Sequence, residues 1–320
     1  MNYTAGMIRS TIVLFVFSLT SVVAFANVTS CPTLALKNIS TATHFDQRET
    51  RICFAFVASD LLAYALQKNF LPYDIAIQTF KADQDKENTS ALLERRAPQP
   101  VKLTGGFLQE TLEALQNKRI CLNDDRLIYK NRWIELSDLF TFLRSSDPTS
   151  PVPNGLIDQG PLKPVEPFLR NVMANNYHIS RLERPFNQFC GNNREIIQLP
   201  SHQIIAKNFI TYGRFGRRIR ALSEIDLVNE MVSALRTNNP LGIEYNISSI
   251  RTIEGQHASS IIAMKFEANT QQCLALVKDS HGSQCDDPAA GVTCTNGHYW
   301  VSVAALIKTL SSTTWLQPVL

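Results

Sequence analysis

Three residues combine reactive side chains with positions that suit acyl transfer chemistry. Cys53 opens the segment Cys53–Leu66, whose apolar positions recur at helical spacing without Pro or Gly. A helix N-terminus stabilises a thiolate, the nucleophilic form of cysteine, because its free N–H groups and its dipole favour negative charge. Cys53 is therefore a candidate nucleophile, although an ordinary buried cysteine is the simpler interpretation of this feature alone.

The other two residues, His257 and Asp279, flank consecutive runs of β-type sequence, Ser259–Phe266 and Cys273–Val277. If these runs form a hairpin with its loop centre near Ala268, facing residues have numbers that sum to about 536, and His257 and Asp279 satisfy that sum. The carboxylate would then orient the imidazole. Taken singly, His257 is more readily explained as a polar residue at a strand entry and Asp279 as a turn residue. Their joint register is what predicts a catalytic pair.

The cysteine count favours one reactive thiol. The chain has seven cysteines: Cys31, Cys53, Cys121, Cys190, Cys273, Cys285 and Cys294. An odd number in an exported chain indicates either an intermolecular bridge or a free nucleophile. With Cys53 free, the others can form three disulfides, of which the sequence indicates only Cys285–Cys294, across a short loop. No Cys-x-x-Cys pair occurs and the histidines are scattered, so no metal or cofactor site is expected.

The elements that would position these residues predict an α+β fold. Helical patterns dominate the first part, including Phe107–Leu115, whereas short β-type runs dominate from Leu241 onward. A polar stretch at 82–100 is predicted as a surface loop. A proline-rich stretch, 145–167, enters a segment at about 122–225 that we interpret as an insertion.

The blocks around these residues resemble those of the papain-like cysteine peptidases. The string QRETRICFAF resembles the family's active-site segment, with Gln47 six positions before Cys53. LTGGFLQETLEAL is similar to the Gly-Gly segment that lines the substrate groove, which maps onto Gly105, Gly106 and Phe107. The strings GQHASSIIAMKF, LALVKDSHG and GHYWVSVAAL resemble, in the family's order, the strands around the histidine and the orienting residue.

The resemblance implies a two-lobed papain-like fold over 27–320, with a helical N-terminal lobe, an antiparallel β-rich C-terminal lobe and an active-site cleft between them. It implies that Cys53 attacks a peptide carbonyl, His257 is the general acid and base, and Asp279 orients His257. Gln47 would stabilise the oxyanion. A peptide or protein substrate would bind along the Gly-Gly segment and Gln256, and no cofactor is implied.

Three positions depart from the family pattern. Asp279 stands where the family has an orienting asparagine, so it adds a negative charge that favours a protonated His257 and alters the pH profile. His281 replaces a shielding tryptophan, which predicts a wetter hydrogen bond. The Gly-Ser-Cys-Gly-Ser run before the nucleophile is replaced by Arg48–Ile52. This replacement leaves loop shape and substrate preference open.

The first 26 residues predict a secretory signal: Arg9, an apolar run Ile12–Leu19 and an Ala-x-Ala cleavage site ending at Ala26. An uncleaved anchor is the alternative, but the run falls short of the roughly 20 apolar residues that a span needs. We expect a periplasmic or extracellular protein with no stable membrane insertion. The small net charge of +3 gives no reason to expect a nucleic-acid partner.

Cys53 follows the predicted cleavage site too closely for the family's inhibitory pro-segment. The insertion could restrain activity as a lid, or it could be surface elaboration; whether a proteinaceous inhibitor acts on the chain is left open. Two other functions stay open: a catalytically weakened relative that binds peptides, and the same triad acting as a transpeptidase or amidase.

Overall fold

The structure is a computed structural model that describes residues 30–37, 47, 51–95, 106–122, 190–212, 218–220 and 223–319, with backbone only for 211–212 and 218–220. The predicted signal peptide, Gly105 and residues 123–189 of the predicted insertion lie outside the described residues. Within the described residues, no helix is both long and apolar enough to cross a membrane.

Helices and an antiparallel sheet occur together, which confirms the α+β class. The helices are α1 (Cys53–Leu66), α2 (Pro72–Leu93), α3 (Leu108–Leu115), α4 (Glu224–Arg236) and α5 (Val303–Thr309). Their starts follow from local sequence: α2 begins with Pro72, whose missing N–H costs nothing there. The α4 helix begins with a capping box between Ser223 and Asp226.

The prediction of a loop at 82–100 was wrong as far as residue 93, because α2 continues to Leu93. The 82–93 segment contains no Pro or Gly, so nothing in it stops a helix. Pairs four residues apart support its exposed turns, for example the hydrogen bond from Gln84 to Asn88. Polar composition was mistaken for loop structure.

The strands are β1 (Leu34–Ala35), β2 (Arg119–Cys121), β3 (Arg194–Ile196), β4 (His202–Asn208), β5 (Ile210–Tyr212), β6 (Arg218–Arg220), β7 (Leu241–Asn246), β8 (Gln256–Glu267), β9 (Gln272–Lys278), β10 (Thr293–Thr295), β11 (His298–Ser302) and β12 (Leu310–Pro318). The main sheet has the order β10-β11-β9-β8-β7-β12-β4, and β1 also pairs with β8. Two small ladders, β2 with β3 and β5 with β6, lie outside it. The two predicted β runs, Ser259–Phe266 and Cys273–Val277, fall in β8 and β9.

Buried side chains form two clusters. The helical core contains apolar residues of α1, α2 and α3, together with a few residues of the sheet such as Ala258 and Leu316. The sheet core contains apolar residues of α4, α5 and strands β7, β8, β9, β11 and β12. Helix α1 packs against β7, β8 and β12. This contact brings the start of α1 towards the strands that carry the other candidate residues.

All seven cysteines lie in the described residues, and six of them form the disulfides Cys31–Cys273, Cys121–Cys190 and Cys285–Cys294. Cys53 is the free one. The predicted Cys285–Cys294 bridge is therefore confirmed. The free thiol is also the one that the sequence selected as a candidate nucleophile.

The described chain breaks after residue 122 and resumes at residue 190, and Cys121 and Cys190 lie close together across this break. The Cα atoms of Cys121 and Cys190 lie 5.6 Å apart, and β2 pairs with β3 beside them. The buried Asp74 of α2 accepts a hydrogen bond from the backbone N–H of Cys121 at 2.7 Å and contacts Arg194 at 3.5 Å. Further along the chain, β4 lies at one end of the strand order of the main sheet.

Candidate active site

Cys53 is the first residue of α1 and is half-buried. The residue before it, Ile52, provides no side-chain cap, and the first turn of α1, which is fully described, contains no acidic side chain. The free N–H groups of this helix end therefore lack a carboxylate partner from the helix itself. A thiolate at Cys53 would supply the negative charge that a helix N-terminus favours.

His257 is the second residue of β8, and Asp279 follows β9 directly. The Nε2 atom of His257 lies 2.7 Å from Oδ1 of Asp279, within hydrogen-bond range. Cys53 also raises the pKa of His257, through attraction and through a hydrogen-bond contribution, so the thiol lies near the imidazole. The imidazole is therefore close to both the sulfur and the carboxylate.

The predicted register that placed Asp279 directly opposite His257 was wrong. The observed ladder pairs Ser260 with Lys278 and Ile261 with Val277, and its extrapolation puts His281 opposite His257. The loop centre lies further along the chain than Ala268, since Glu267 pairs with Gln272. Asp279 reaches the imidazole as a diagonal neighbour, a separation that side chains can bridge.

The prediction that replacing tryptophan with His281 leaves the pair wetter was also wrong. His257 is 7% exposed and Asp279 is 2% exposed. The His281 ring stacks on the His257 ring with centroids 5.0 Å apart, and Tyr245 meets His257 edge-on at 5.9 Å. An imidazole therefore covers the hydrogen bond as an indole would.

Asp279 is the most highly connected group of the site. Its Oδ1 accepts the backbone N–H of Ser280 at 2.8 Å, and both carboxylate oxygens lie within 3.2 Å of Nδ1 of His281. Arg251 places a guanidinium nitrogen 3.9 Å from Oδ2. Its side chain is 11% exposed, so a second positive charge faces the carboxylate from a largely buried position.

A close approach of two chain segments holds the turn that carries Asp279. The backbone N–H of Asp279 donates to the carbonyl of Gly297 at 3.2 Å. Gly297 has a φ of +71°, and a Cβ atom there would overlap the carbonyl oxygen of Gly282. Glycine is required at position 297 on both grounds.

The electrostatics favour a charged imidazole beside a carboxylate. Burial lowers the pKa of His257, but attraction to Cys53 and Asp279 and hydrogen bonds to both outweigh burial and raise the pKa to about 10. Burial raises the pKa of Asp279, but the charge and hydrogen bond of His257, together with His281, hold it well below its usual range. The structure thus agrees with the expectation that Asp279 stabilises protonated His257.

Gln47 is buried beside the same turn. Its backbone N–H donates to the carbonyl of Ser280 at 2.7 Å, and its side-chain Nε2 lies 3.2 Å from Nε2 of His281. Gln47 is therefore brought to the Asp279 side of the site through both its main chain and its side chain. Its part in an oxyanion hole stays a prediction.

The residues predicted to bind substrate have different positions. A Cβ atom on Gly106 would lie 3.0 Å from the Phe54 ring, so Gly106 packs beside the residue that follows Cys53. Phe107 precedes α3 and is 62% exposed, and Gln256 is an exposed residue at the start of β8. Gly105 lies outside the described residues.

A partly buried polar cluster joins α1 to the strands of the site. Asp60, two turns along α1 from Cys53, contacts Nζ of Lys278 at 2.7 Å and accepts a hydrogen bond from Ser260 at 3.0 Å. Ser260 follows His257 by three residues in β8, and Lys278 precedes Asp279. The cluster therefore fixes the helix that carries the sulfur against both strands that carry the imidazole pair.

Among the described residues, His257, Asp279 and His281 form a group whose potential ligand atoms all lie within 4.8 Å of one another. Histidine and carboxylate are common metal ligands. Here, however, their atoms already hydrogen-bond to one another, and Arg251 lies 3.9 Å from the carboxylate. The nearby guanidinium disfavours a further cation at this position.

Three residues of the site escaped sequence reasoning: Arg251, Asp60 and His281 in its observed role. His281 had a signal, because it stands two positions after Asp279 and differs from the family's residue. No sequence pattern pointed to Arg251 or Asp60, because an arginine in a loop or an aspartate in a helix is most often a solvated charge.

No protein-family model matches the chain, and no curated protein matches its sequence. Among solved structures, the chain is similar to PepW from Lactobacillus rhamnosis HN001, with 12% sequence identity and a TM-score of 0.40. The aligned region covers 90% of this chain and 82% of PepW. At that TM-score the similarity carries no argument, so the candidate function depends on the geometry of the site.

Proposed function

We propose that this chain is an exported cysteine peptidase that hydrolyses peptide bonds through an acyl-enzyme on Cys53. One observation carries the proposal. The buried imidazole of His257 is hydrogen-bonded to Asp279, and its pKa is raised by the one cysteine, at a helix N-terminus, that is not in a disulfide. This is the arrangement of nucleophile, base and orienting group that acyl transfer requires.

The two chemical steps follow from these positions. The Cys53 thiolate forms a bond to the peptide carbonyl carbon, and the carbonyl π electrons move to oxygen. As the carbon–nitrogen bond breaks, the protonated His257 gives its proton to the leaving amine. His257 then takes a proton from water, whose oxygen attacks the thioester. Cys53 leaves as thiolate, a carboxylic acid is released and His257 is charged again.

The developing oxyanion would accept hydrogen bonds from the Cys53 backbone N–H and the Gln47 side chain. The turn Asp279–His281 contacts both Gln47 and His257. One segment therefore positions the Gln47 amide and the His257 imidazole. Losing one donor of this kind costs about 10²–10³ in rate.

The proposal includes a papain-like arrangement in which the helical core and the sheet core form two lobes with a cleft between them. Cys53 packs against the helical core, and Tyr245, the cross-strand neighbour of His257, lies in the sheet core. Export is part of the same proposal and is supported by three disulfides, which persist in oxidising compartments.

The test compares the wild-type chain with Cys53→Ala on a fluorogenic peptide library. We expect hydrolysis in the wild type and none in the variant, with equal thermal unfolding. Ser233→Ala, an exposed serine of α4, is the control and should retain full activity. Hydrolysis by Cys53→Ala would refute the assignment.

A second measurement separates the peptidase from a peptide-binding relative. A peptidyl epoxide that reacts with activated thiols should label the wild-type chain at Cys53, identified by peptide mass. A chain that binds the peptides but is neither labelled nor hydrolytic would be a binder. Product analysis with added amine acceptors distinguishes hydrolysis from transpeptidation.

A further inference from the structure

His281 contacts three members of the candidate site although it belongs to none of the roles above. Its ring stacks on His257 with an interplanar angle of 28°. Its Nδ1 lies 3.1 Å from Oδ2 of Asp279, and its Nε2 lies 3.2 Å from Nε2 of Gln47. The side chain is 27% exposed, so most of its surface is committed to these contacts.

The partners of His281 fix its tautomer. A carboxylate only accepts hydrogen bonds, so Nδ1 of His281 must carry a proton and donate a hydrogen bond to Asp279. In a neutral ring the other nitrogen is then an acceptor, which matches the N–H group of the Gln47 amide. If the oxygen and nitrogen of the Gln47 amide exchanged places, the amide oxygen would face Nε2 of His281, and both of these atoms are acceptors. His281 therefore also fixes the orientation of the Gln47 amide.

The backbone reinforces this connection. Gln47 donates its backbone N–H to Ser280, and Ser280 donates its own to Asp279 at 2.8 Å. The turn thus holds Gln47 at two points, and of these two the side-chain contact bears on which way the amide faces.

We propose that His281 is a positioning residue that orients the Gln47 amide relative to the Asp279–His257 pair, a role that rests on the peptidase function proposed above. It acts through Gln47 and Asp279 and does not itself contact the reacting atoms. A tryptophan at this position could cover the pair but has no acceptor atom for the amide of Gln47.

A double-mutant cycle tests the connection. Gln47→Ala should lower kcat by about 10²–10³, as for any lost oxyanion donor. His281→Phe keeps a flat ring for stacking but loses both hydrogen bonds, and should lower kcat by about 10–10² with KM changed less than about threefold. In the Gln47→Ala background, the same change should have less than about a threefold effect, because its target is gone.

Alkylation of Cys53 by iodoacetamide separates orientation of the oxyanion donor from damage to the thiol. In this reaction sulfur bonds to carbon and iodide leaves, so the pair of Cys53 and His257 is required but no oxyanion forms. His281→Phe should change this rate less than about threefold, since Asp279 keeps its bonds to His257 and Ser280. A purely structural defect would slow both reactions together.

Two further variants keep the test decisive. His281→Asn can donate to Asp279 but is too short for Gln47, and replaces the Phe variant if that one does not fold. His202→Phe is the matched control, because His202 lies on β4, three strands from β8. The activity of this variant should equal that of the wild type.

Selective ¹⁵N labelling of histidine reads the tautomer directly, whatever the activity. The signal of His281, assigned by its loss in His281→Phe, should show a proton on Nδ1 and none on Nε2 in the neutral form of the ring. A proton on Nε2, or equal kinetic losses in both Gln47 backgrounds, would overturn the positioning role. Absence of turnover in the wild type rejects the peptidase itself and is a separate outcome.

Discussion

The helix that presents the sulfur and the strand ends that present the imidazole are held in different ways. The first turns of α1 are fixed by apolar packing: Phe54, Ala55, Phe56, Val57 and Ala58 are all at most 5% exposed. Asp279 is instead held by hydrogen bonds and charge, from His257, His281, Ser280 and more distantly Arg251.

The difference matches what each side must do. Apolar packing fixes the position of a side chain but not its protonation state. That suits the sulfur of Cys53, which needs only a fixed position at a helix N-terminus. Hydrogen bonds fix direction and protonation as well, which suits a base whose two nitrogens have separate roles. Changes on the helix side should therefore affect stability first, and changes on the strand side should affect catalysis first.

The largest effect is expected from Asp279→Ala. The change removes the acceptor of the imidazole proton and leaves Arg251 without its carboxylate, so kcat/KM should fall by about 10²–10⁴. Steady-state kinetics with a fluorogenic peptide checks it. A loss below about tenfold would mean that His257 does not depend on this residue for its orientation.

Phe54→Ala should break the helix side instead. Phe54 is 1% exposed and meets Phe80 edge-on with ring centroids 5.8 Å apart, so its truncation should cost about 3–5 kcal/mol of unfolding free energy in a urea titration. The exposed Phe107 is the matched control, and its change to Ala should cost less than about 0.5 kcal/mol. Equal costs for the two would contradict the packing interpretation.

Asp60→Asn should loosen the link between the two sides. Lys278, whose side chain is 10% exposed, would lose its charged partner, at a cost of about 1–3 kcal/mol in unfolding free energy. The ion pair of Lys68 with Glu195 is the control, since its side chains are 46% and 37% exposed and Lys68→Ala should cost at most about 1 kcal/mol. If both variants cost the same, Asp60 contributes only a surface interaction.

The smallest change at the pH optimum is expected from Asp279→Asn, which keeps an acceptor but removes the charge. Catalysis needs His257 protonated, so wild-type kcat/KM should fall as pH rises through about 10. Without the attraction of Asp279 the pKa of His257 is lower, so the alkaline limb should move to lower pH. An unshifted limb in a pH–rate profile would show that Asp279 does not set this pKa.

The same pair makes stability depend on pH. The raised pKa of His257 contributes stability that is complete below its usual 6.5 and is lost as pH rises through about 10. The lowered pKa of Asp279 contributes stability above its usual 3.8 that is lost at lower pH. The advantage of the wild type over Asp279→Asn in unfolding free energy should therefore be largest between pH 3.8 and 6.5.

Local patterns in the sequence were enough for the α+β class, for α1 and for the hairpin strands, because periodicity and turn residues act over short distances. They also predicted that His257 and Asp279 lie close together, although the predicted register of the hairpin differs from the observed one. The register failed mainly because the hairpin loop is centred beyond Ala268, between Glu267 and Gln272, and a bulge between Ile261 and Ala263 then shifts the ladder by one residue. Arg251 and Asp60 became part of the site only through tertiary packing, which sequence spacing does not encode.

The Cys121–Cys190 disulfide has a consequence for the unfolded chain. It joins two buried cysteines of the helical core that are 69 residues apart in sequence, so it removes loop-closure entropy from the unfolded ensemble. An oxidising environment, in which the bridge persists, would therefore add stability to the core against which Cys53 packs.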